Sequence, residues 1–152
     1  MDWGRIHCVV IASRASEVIM ERFYDCLTNA EKSEVRNALQ SAGAGVVHNA
    51  PEDAEFVGAY RDACIVFSPI ADVVLYLVGS GEYDELALSA VLQTIKEGLR
   101  ATLKRPPSES VIHEKYPKVC LTIDEIIHEG ILDLTDPEAV RRALKLKAGS
   151  EA

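Results

Sequence analysis

The sequence predicts an α/β protein of the α+β kind, in which helices flank one antiparallel sheet of five strands. Short apolar runs rich in β-branched residues recur through the first half of the chain, and turn-forming residues bound each of them. Segments with apolar residues at steps of three and four follow the second and the fifth of these runs. The predicted order is therefore ββ-α-βββ-α-α, with a small terminal helix, which suits helices that cover the faces of one sheet.

The first two predicted strands form a hairpin. Residues 6–11 are a short apolar run that is typical of a strand buried on both faces. Residues 13–16 are a predicted turn, and residues 18–24 are the second strand, although their composition also fits a helix. The strand is the preferred interpretation, as a hairpin partner of the first.

A capping box predicts where the first helix begins. The Thr28 side chain can accept a hydrogen bond from an early helix N–H, and Glu31 can reach back to the Thr28 N–H. The helix is predicted to end near Gly43, a residue type that favours the position after a helix. Residues 43–54 are predicted to be a loop because they contain glycine, asparagine and proline.

Three more strands are predicted next, over residues 56–60, 64–67 and 73–78. A turn at Arg61 and Asp62 separates the first two. Pro69 is predicted to end the second of them, because proline has no N–H to donate to a neighbouring strand.

Residues 84–103 carry the strongest helical pattern in the chain. Lys96, Glu97 and Arg100 lie off its apolar stripe. The stripe itself consists of Leu88, Val91, Leu92, Ile95, Leu99 and Leu103.

The predicted second long helical segment covers residues 111–130, with a break or fresh start at Pro117 and a C-cap at Gly130. Its buried side is predicted to consist of Cys120, Ile123, Ile126 and Ile127. A last helix is predicted from Asp136 to about residue 147, with aspartate at the N-cap and proline after it. The sequence leaves open whether the sheet seals both apolar stripes or one stays free for a partner.

The composition predicts one cytosolic domain. The chain has 152 residues and a net charge of −8, which argues against nucleic-acid binding and against adsorption to an anionic membrane through bulk charge. No apolar run reaches the length of a membrane span, and the four cysteines lack C-x-x-C spacing. We expect a domain over residues 1–147, buried free thiols, and a disordered tail over residues 148–152.

Motifs that would support catalysis or a cofactor are missing from the sequence. It contains neither a P-loop nor a G-x-S-x-G elbow. Glu125 and His128 form one E-x-x-H pair, predicted on one helical face, but a di-iron centre needs two such pairs and further carboxylates. We therefore predict no enzyme activity, no cofactor and no metal. Four basic residues near the end form a predicted solvated helix: Arg141, Arg142, Lys145 and Lys147.

Several segments resemble the small (sigma) chains of clathrin adaptor complexes and the zeta subunit of coatomer, which share the longin or SNARE-like fold. Residues 6–24 are similar to the opening hairpin of that family, with an aromatic pair at Phe23 and Tyr24. Residues 75–92 (LYLVGSGEYDELALSAVL) are close to the zeta pattern. Residues 116–137 (YPKVCLTIDEIIHEGILDLTDP) match best.

This resemblance implies a non-catalytic small subunit that packs against a large solenoid subunit in a coat or adaptor complex with a medium subunit. Such a complex would act in vesicle-mediated protein transport, and the chain would be cytoplasmic and peripheral on coated vesicles, at the Golgi or plasma membrane. The alternative is a longin-type regulator of Rab-type GTPases or of tethering and SNARE machinery. The side chains predicted to contact a partner are Phe23, Tyr24, Leu88, Leu92, Ile126 and Ile127.

Two positions depart from the sigma pattern. Sigma chains that bind acidic dileucine signals carry a basic residue where this chain has Ile19, and an apolar pocket residue where it has Lys96. The resemblance therefore argues against direct dileucine binding. It also admits another coat of the same lineage, such as the plant TPLATE endocytic complex, whose small subunit this chain would then resemble.

Overall fold

The computed structural model describes residues 4–128 and 130–132 of the chain. The elements are, in chain order, β1 Gly4–Ser13, β2 Val18–Phe23, α1 Asn29–Gly43, β3 Phe56–Tyr60, β4 Ala63–Ile70, β5 Val73–Gly81, α2 Glu85–Leu103, α3 Glu109–Glu114, α4 Tyr116–Ile126, β6 Ile127–His128 and β7 Ile131–Leu132. Strands β1 to β5 form one sheet in the order β2-β1-β5-β4-β3. All its neighbours pair antiparallel, which confirms the predicted fold class.

Tight hairpins connect the last three strands of the sheet. Tyr60 pairs with Ala63 across a two-residue loop, and Ile70 pairs with Val73 across another. The first residue of each loop has a positive φ, as in the primed turns whose twist matches that of a hairpin. The predicted turn at Arg61 and Asp62 is therefore confirmed.

Strand β4 does not end before Pro69, and that prediction was wrong. The strand continues to Ile70, with Pro69 opposite Val74 of β5. On the other side, β3 begins at Phe56, which pairs with Phe67. Beyond Phe67 strand β4 is therefore an edge, where a proline N atom faces no partner strand and is tolerated.

The sheet is buried on both faces, since alternate residues of its strands point to opposite sides. On one side α1 covers a cluster that includes Val35, Leu39, Phe67 and Tyr76. On the other side α2, α3 and α4 cover a larger cluster. Its helical members include Leu88, Val91, Leu92, Ile95, Leu99, Leu103, Val119, Ile123 and Ile126. Both apolar stripes are therefore sealed within the chain, which settles the question that the sequence left open.

Local signals define the ends of the helices. Thr28 and Glu31 form both hydrogen bonds of the predicted capping box. Asp84 caps α2 through its side chain, and Lys104 ends that helix in the left-handed conformation. The close crossing of α2 and α4 depends on Gly98, because a Cβ there would lie 3.0 Å from Ile126 Cδ1.

The second helical segment differs from its prediction. It begins earlier, at Glu109, and it splits into α3 and α4 with proline in the first turn of α4. It does not reach Gly130, because α4 ends at Ile126 and a short hairpin follows. Gly130 has a φ of 84° and its carbonyl accepts a hydrogen bond from Ile6 N at 2.7 Å, so it ties this hairpin to β1. The predicted last helix and tail lie outside the described residues.

Candidate partner-binding site

A groove of about 380 Å³ opens where α1, the β1–β2 end of the sheet and the β3–β4 turn meet. We call it the acidic groove. Its lining residues are His7, Cys8, Phe23, Asp25, Leu27, Glu31, Glu34, Val35, Tyr60, Arg61, Asp62, Ala63 and Ser80. These side chains come from segments that are far apart in the sequence, so only the folded sheet assembles them.

One end of the acidic groove is held together by His7. This residue sits at an irregularity in the β1–β5 pairing, and such bulges re-aim a side chain. His7 Nδ1 lies 2.5 Å from Asp25 Oδ2, and Nε2 lies 2.7 Å from Ser80 Oγ. Arg5 Nε lies 3.0 Å from the other oxygen of Asp25. The cluster fastens the segment after β2 to two central strands.

The three residues Asp25, His7 and Ser80 have the connectivity of a hydrolase triad, yet the local backbone is different. A triad serine on an elbow projects from a sharp strand-to-helix turn, whereas Ser80 lies within the paired part of β5, opposite Arg5. Asp25 also binds Arg5 in addition to the histidine. We interpret the cluster as a structural tie between strands. No local pattern indicates this cluster, because Asp25 and Ser80 lie 18 and 73 residues from His7 in the chain.

Acidic side chains dominate the other end of the groove. Glu34 accepts a hydrogen bond from Arg61 Nη2 at 2.5 Å, which lowers the pKa of the glutamate. The hydrogen bond from the Thr28 backbone N–H lowers the pKa of Glu31 in the same way. Asp62 forms no hydrogen bond or ion pair within the described part of the chain, and it is exposed.

Apolar groups form the floor between these two ends. Cys8 is buried, and burial raises the pKa of its thiol to about 12, so the thiol is neutral at physiological pH. Phe23 is partly buried and packs on the α1 side of the sheet. Its ring lies 5.5 Å from Lys32 Nζ and 5.8 Å from Arg36 Cζ, within cation–π range.

The structure separates the six predicted interface residues into two groups. Phe23 lines the acidic groove. Tyr24 is partly buried and packs against the core on the opposite face. The other four, Leu88, Leu92, Ile126 and Ile127, are at most 1% exposed. Those four hold α2 and α4 to the sheet, and a partner contact at any of the six stays a prediction.

Lys96 is buried although it lies off the apolar stripe of α2. Its side chain is 0% exposed. Nζ donates to Asp53 Oδ1 at 2.8 Å, to Ser68 Oγ at 2.6 Å and to Pro69 O at 3.3 Å. Hydrogen bonding from Lys96, followed by that from Arg100, lowers the pKa of Asp53.

This polar cluster bears on dileucine recognition. Lys96 joins Asp53 of the loop before β3 to α2, while Ile19 is partly buried against the core. Neither residue offers the apolar pocket or the basic contact that the sigma resemblance would require. The expectation that this chain does not bind such signals directly stays a prediction.

The remaining chemical candidates lie apart from one another. Glu125 ends up on α4 but His128 lies on β6, so the two do not share a helical face as predicted. Within residues 4–128 and 130–132, no group of three or more potential metal-ligating side chains occurs. The four cysteines are free, and Cys26 is exposed, contrary to the expectation of burial. None of the described helices is long and apolar enough to cross a membrane.

Comparison with known proteins gives a consistent family. The model of the clathrin adaptor complex small chain matches residues 5–150. The TSET complex member tstD of Dictyostelium discoideum is 29% identical over 143 residues, which are 93% of this chain and 93% of that protein. Human coatomer subunit zeta-2 is 31% identical over 84 residues, which are 55% of this chain and 40% of that protein.

A solved structure shares the fold. A chain in a homology model of the full-length AP-3 complex in a stretched open conformation has a TM-score of 0.64 and 15% identity, covering 96% of this chain and 95% of that one. At this identity the likeness shows the fold alone. Since the family model spans nearly all of the sequence, the chain belongs to the clathrin adaptor complex small chain family.

Proposed function

We propose that this chain is the small subunit of a heteromeric coat complex of the TSET, coatomer or adaptor type and acts in vesicle-mediated protein transport. The observation that carries the proposal is the family match over residues 5–150. The relatives tstD and coatomer subunit zeta-2 support it, since they are members of the TSET complex and of coatomer. The complex would be cytoplasmic and peripheral on coated vesicles, at the Golgi or plasma membrane.

The small chain would work by packing against a large solenoid subunit, alongside a medium subunit. The apolar stripes of the helices are buried against the sheet within this chain. The chain would therefore contact the large subunit through surface residues. The acidic groove is a part of the described surface that combines a cavity of about 380 Å³ with apolar and charged groups. Interfaces with a polar rim and an apolar centre are common between proteins.

The same arrangement supports a role without catalysis. The triad-like cluster of Asp25, His7 and Ser80 is better explained as a tie between strands, because Ser80 lies within the paired part of β5. Burial keeps the Cys8 thiol protonated, which makes it a poor nucleophile. We therefore propose that the chain has a structural role in its complex and provides a binding surface for the other subunits.

Co-expression tests the function. We would produce the full chain with tagged large and medium subunits of a TSET-type complex and, in parallel, of coatomer and adaptor complexes. We expect the chain to co-purify with one set in equal stoichiometry through size-exclusion chromatography. A chain that elutes as a monomer beside every large subunit would refute the proposal. Accelerated nucleotide exchange on a Rab-type GTPase would favour the longin-regulator alternative instead.

A further inference from the structure

The size of the acidic groove suits one or two protein side chains. Its volume of about 380 Å³ is near the lower end of the range of about 300–1,000 Å³ that is usual for ligand pockets. Three elements build the apolar floor, with Cys8 from β1, Phe23 from β2 and Val35 from α1. An apolar side chain that enters from outside would find a preformed surface on which to pack.

The rim of the groove carries more carboxylates than basic groups. Four carboxylates line it, from Asp25, Glu31, Glu34 and Asp62. Arg5 pairs with Asp25 and Arg61 with Glu34, which leaves Glu31 and Asp62 without an ion pair among the described residues. Carboxylates gathered in a concave site focus a negative potential, which attracts cations and repels anions. Asp62 is exposed and, among the described residues, forms no ion pair, so its charge is available to a partner.

The walls of the groove are already fixed. Asp25 is held by His7 and Arg5, and Glu34 by Arg61. The β3–β4 turn that carries Asp62 is a two-residue hairpin loop between paired residues. A partner would therefore not have to order these groups, and preorganisation of this kind favours binding.

We propose that the acidic groove binds an extended, basic segment of the large subunit, with a lysine or arginine at the Asp62 rim and the neighbouring apolar side chain on the Phe23 floor. This inference rests on the function proposed above, because it names the contact by which the small chain would hold the large one. Charge complementarity selects the occupant, since the rim carries an excess of carboxylates.

The overall charge of the chain opposes two other occupants. A second copy would bring another surface from a molecule with a net charge of −8, and an anionic membrane would be repelled by the same rim. The basic positions Arg141, Arg142, Lys145 and Lys147 of this chain are a competing occupant, and the test below distinguishes them.

The first arm of the test uses charge reversal in the full complex. Asp62→Lys places a cation at the rim, and Glu97→Lys makes the same change at an exposed position on α2, outside the groove. We expect the Asp62→Lys chain to bind the large subunit at least about fivefold more weakly than the native chain. The Glu97→Lys chain should bind like the native one. Circular dichroism spectra should show that both variants are folded.

The second arm uses a defined probe. A capped hexapeptide with one lysine followed by one leucine is titrated into the isotopically labelled full chain and followed by NMR, beside a peptide with glutamate in place of the lysine. We expect saturable shifts at Asp25, Ala63 and Ser80 with the lysine peptide only. The shifts should weaken as salt rises from about 0.01 M to about 1 M, since the screening length falls from about 30 Å to about 3 Å.

Each outcome decides between explanations. If the chain co-purifies with a large subunit but Asp62→Lys binds as well as Glu97→Lys, this inference is wrong while the proposed function stands. If no large subunit is bound at all, the proposed function fails. If the peptide shifts the groove only after residues 133–152 are deleted, the chain's own basic segment occupies it, and the inference is overturned.

Discussion

The buried Lys96 allows a sharp test of how the 43–54 loop is held to α2. Asp53→Asn removes the charge that faces the Lys96 ammonium, whereas Lys96→Met removes the ammonium and keeps an unbranched side chain of similar length. Asp53 has a φ of 69°, and asparagine tolerates that left-handed conformation. Neither substitution therefore adds backbone strain.

The expected magnitudes follow from burial. Removing one partner of a fully buried pair costs roughly 3–5 kcal/mol. Here only the lysine is fully buried, since the Asp53 side chain is 52% exposed, and the Ser68 and Pro69 oxygens still accept from Nζ. We therefore reduce the expected cost of Asp53→Asn to about 2 kcal/mol.

Lys96→Met should cost less, although it changes the more buried residue. It removes an ammonium whose transfer out of water is itself unfavourable, and an apolar replacement of a buried charge is often close to neutral. The carboxylate of Asp53 remains half exposed and keeps Arg100 as a partner at 3.2 Å. We expect a change within about 1 kcal/mol of the native free energy of unfolding.

Far-UV circular dichroism during urea denaturation at pH 7 measures the free energy of unfolding of both variants. The comparison holds if the slope of this free energy with urea concentration is the same in all variants. In the Lys96→Met background, Asp53→Asn should cost only about 0.5 kcal/mol, because an exposed pair with Arg100 is all that it then removes. The double-mutant cycle should give a coupling of about 1.5 kcal/mol. Equal costs of Asp53→Asn in both backgrounds would show that the two side chains are not coupled, and the reasoning would fail.

Three further predictions follow from other contacts. In the folded state, hydrogen bonds from Lys96 and Arg36 hold the pKa values of Asp53 and Glu21 below their usual ranges. Their contributions to stability should therefore be complete at neutral pH and be lost as the pH falls below the ordinary carboxyl pKa values. Unfolding free energies that do not fall between pH 6 and pH 3 would contradict this. Thr28→Ala should lower the free energy of unfolding by about 1 kcal/mol in urea melts, because it removes the N-cap acceptor of α1, and Thr28→Ser should restore most of it. Tyr24→Phe should stabilise the chain by up to about 1 kcal/mol, because the Tyr24 hydroxyl is buried and no described group bonds it; a large loss of stability on thermal denaturation would show that the hydroxyl has a partner.

The family was predictable from local sequence patterns. Residues 75–92 and 116–137 carried the resemblance, and the family match over residues 5–150 confirms it. The five strands, the capping box at Thr28 and the apolar stripe of α2 were also predictable, because each depends on spacing between close neighbours in the chain. The predicted domain boundary at residue 147 and the partner contacts stay predictions.

Tertiary contacts decided what local patterns could not. Proline could continue β4 only because β3 is too short to pair with that end of it. A hairpin replaces the last turn of the predicted helix, and its Gly130 carbonyl accepts a hydrogen bond from Ile6 N of β1. Lys96 is buried since the 43–54 loop and β4 supply its three acceptors.

The sequence by itself determined the antiparallel α+β fold and the family, because hydrophobic periodicity and turn chemistry act over a few residues. Only the tertiary structure assembled the acidic groove, whose walls come from β1, β2, α1 and the β3–β4 turn. His7, Asp25 and Ser80 meet there although up to 73 residues separate them. Local sequence patterns do not predict which distant residues come into contact, since the register of the strands in the sheet sets these contacts.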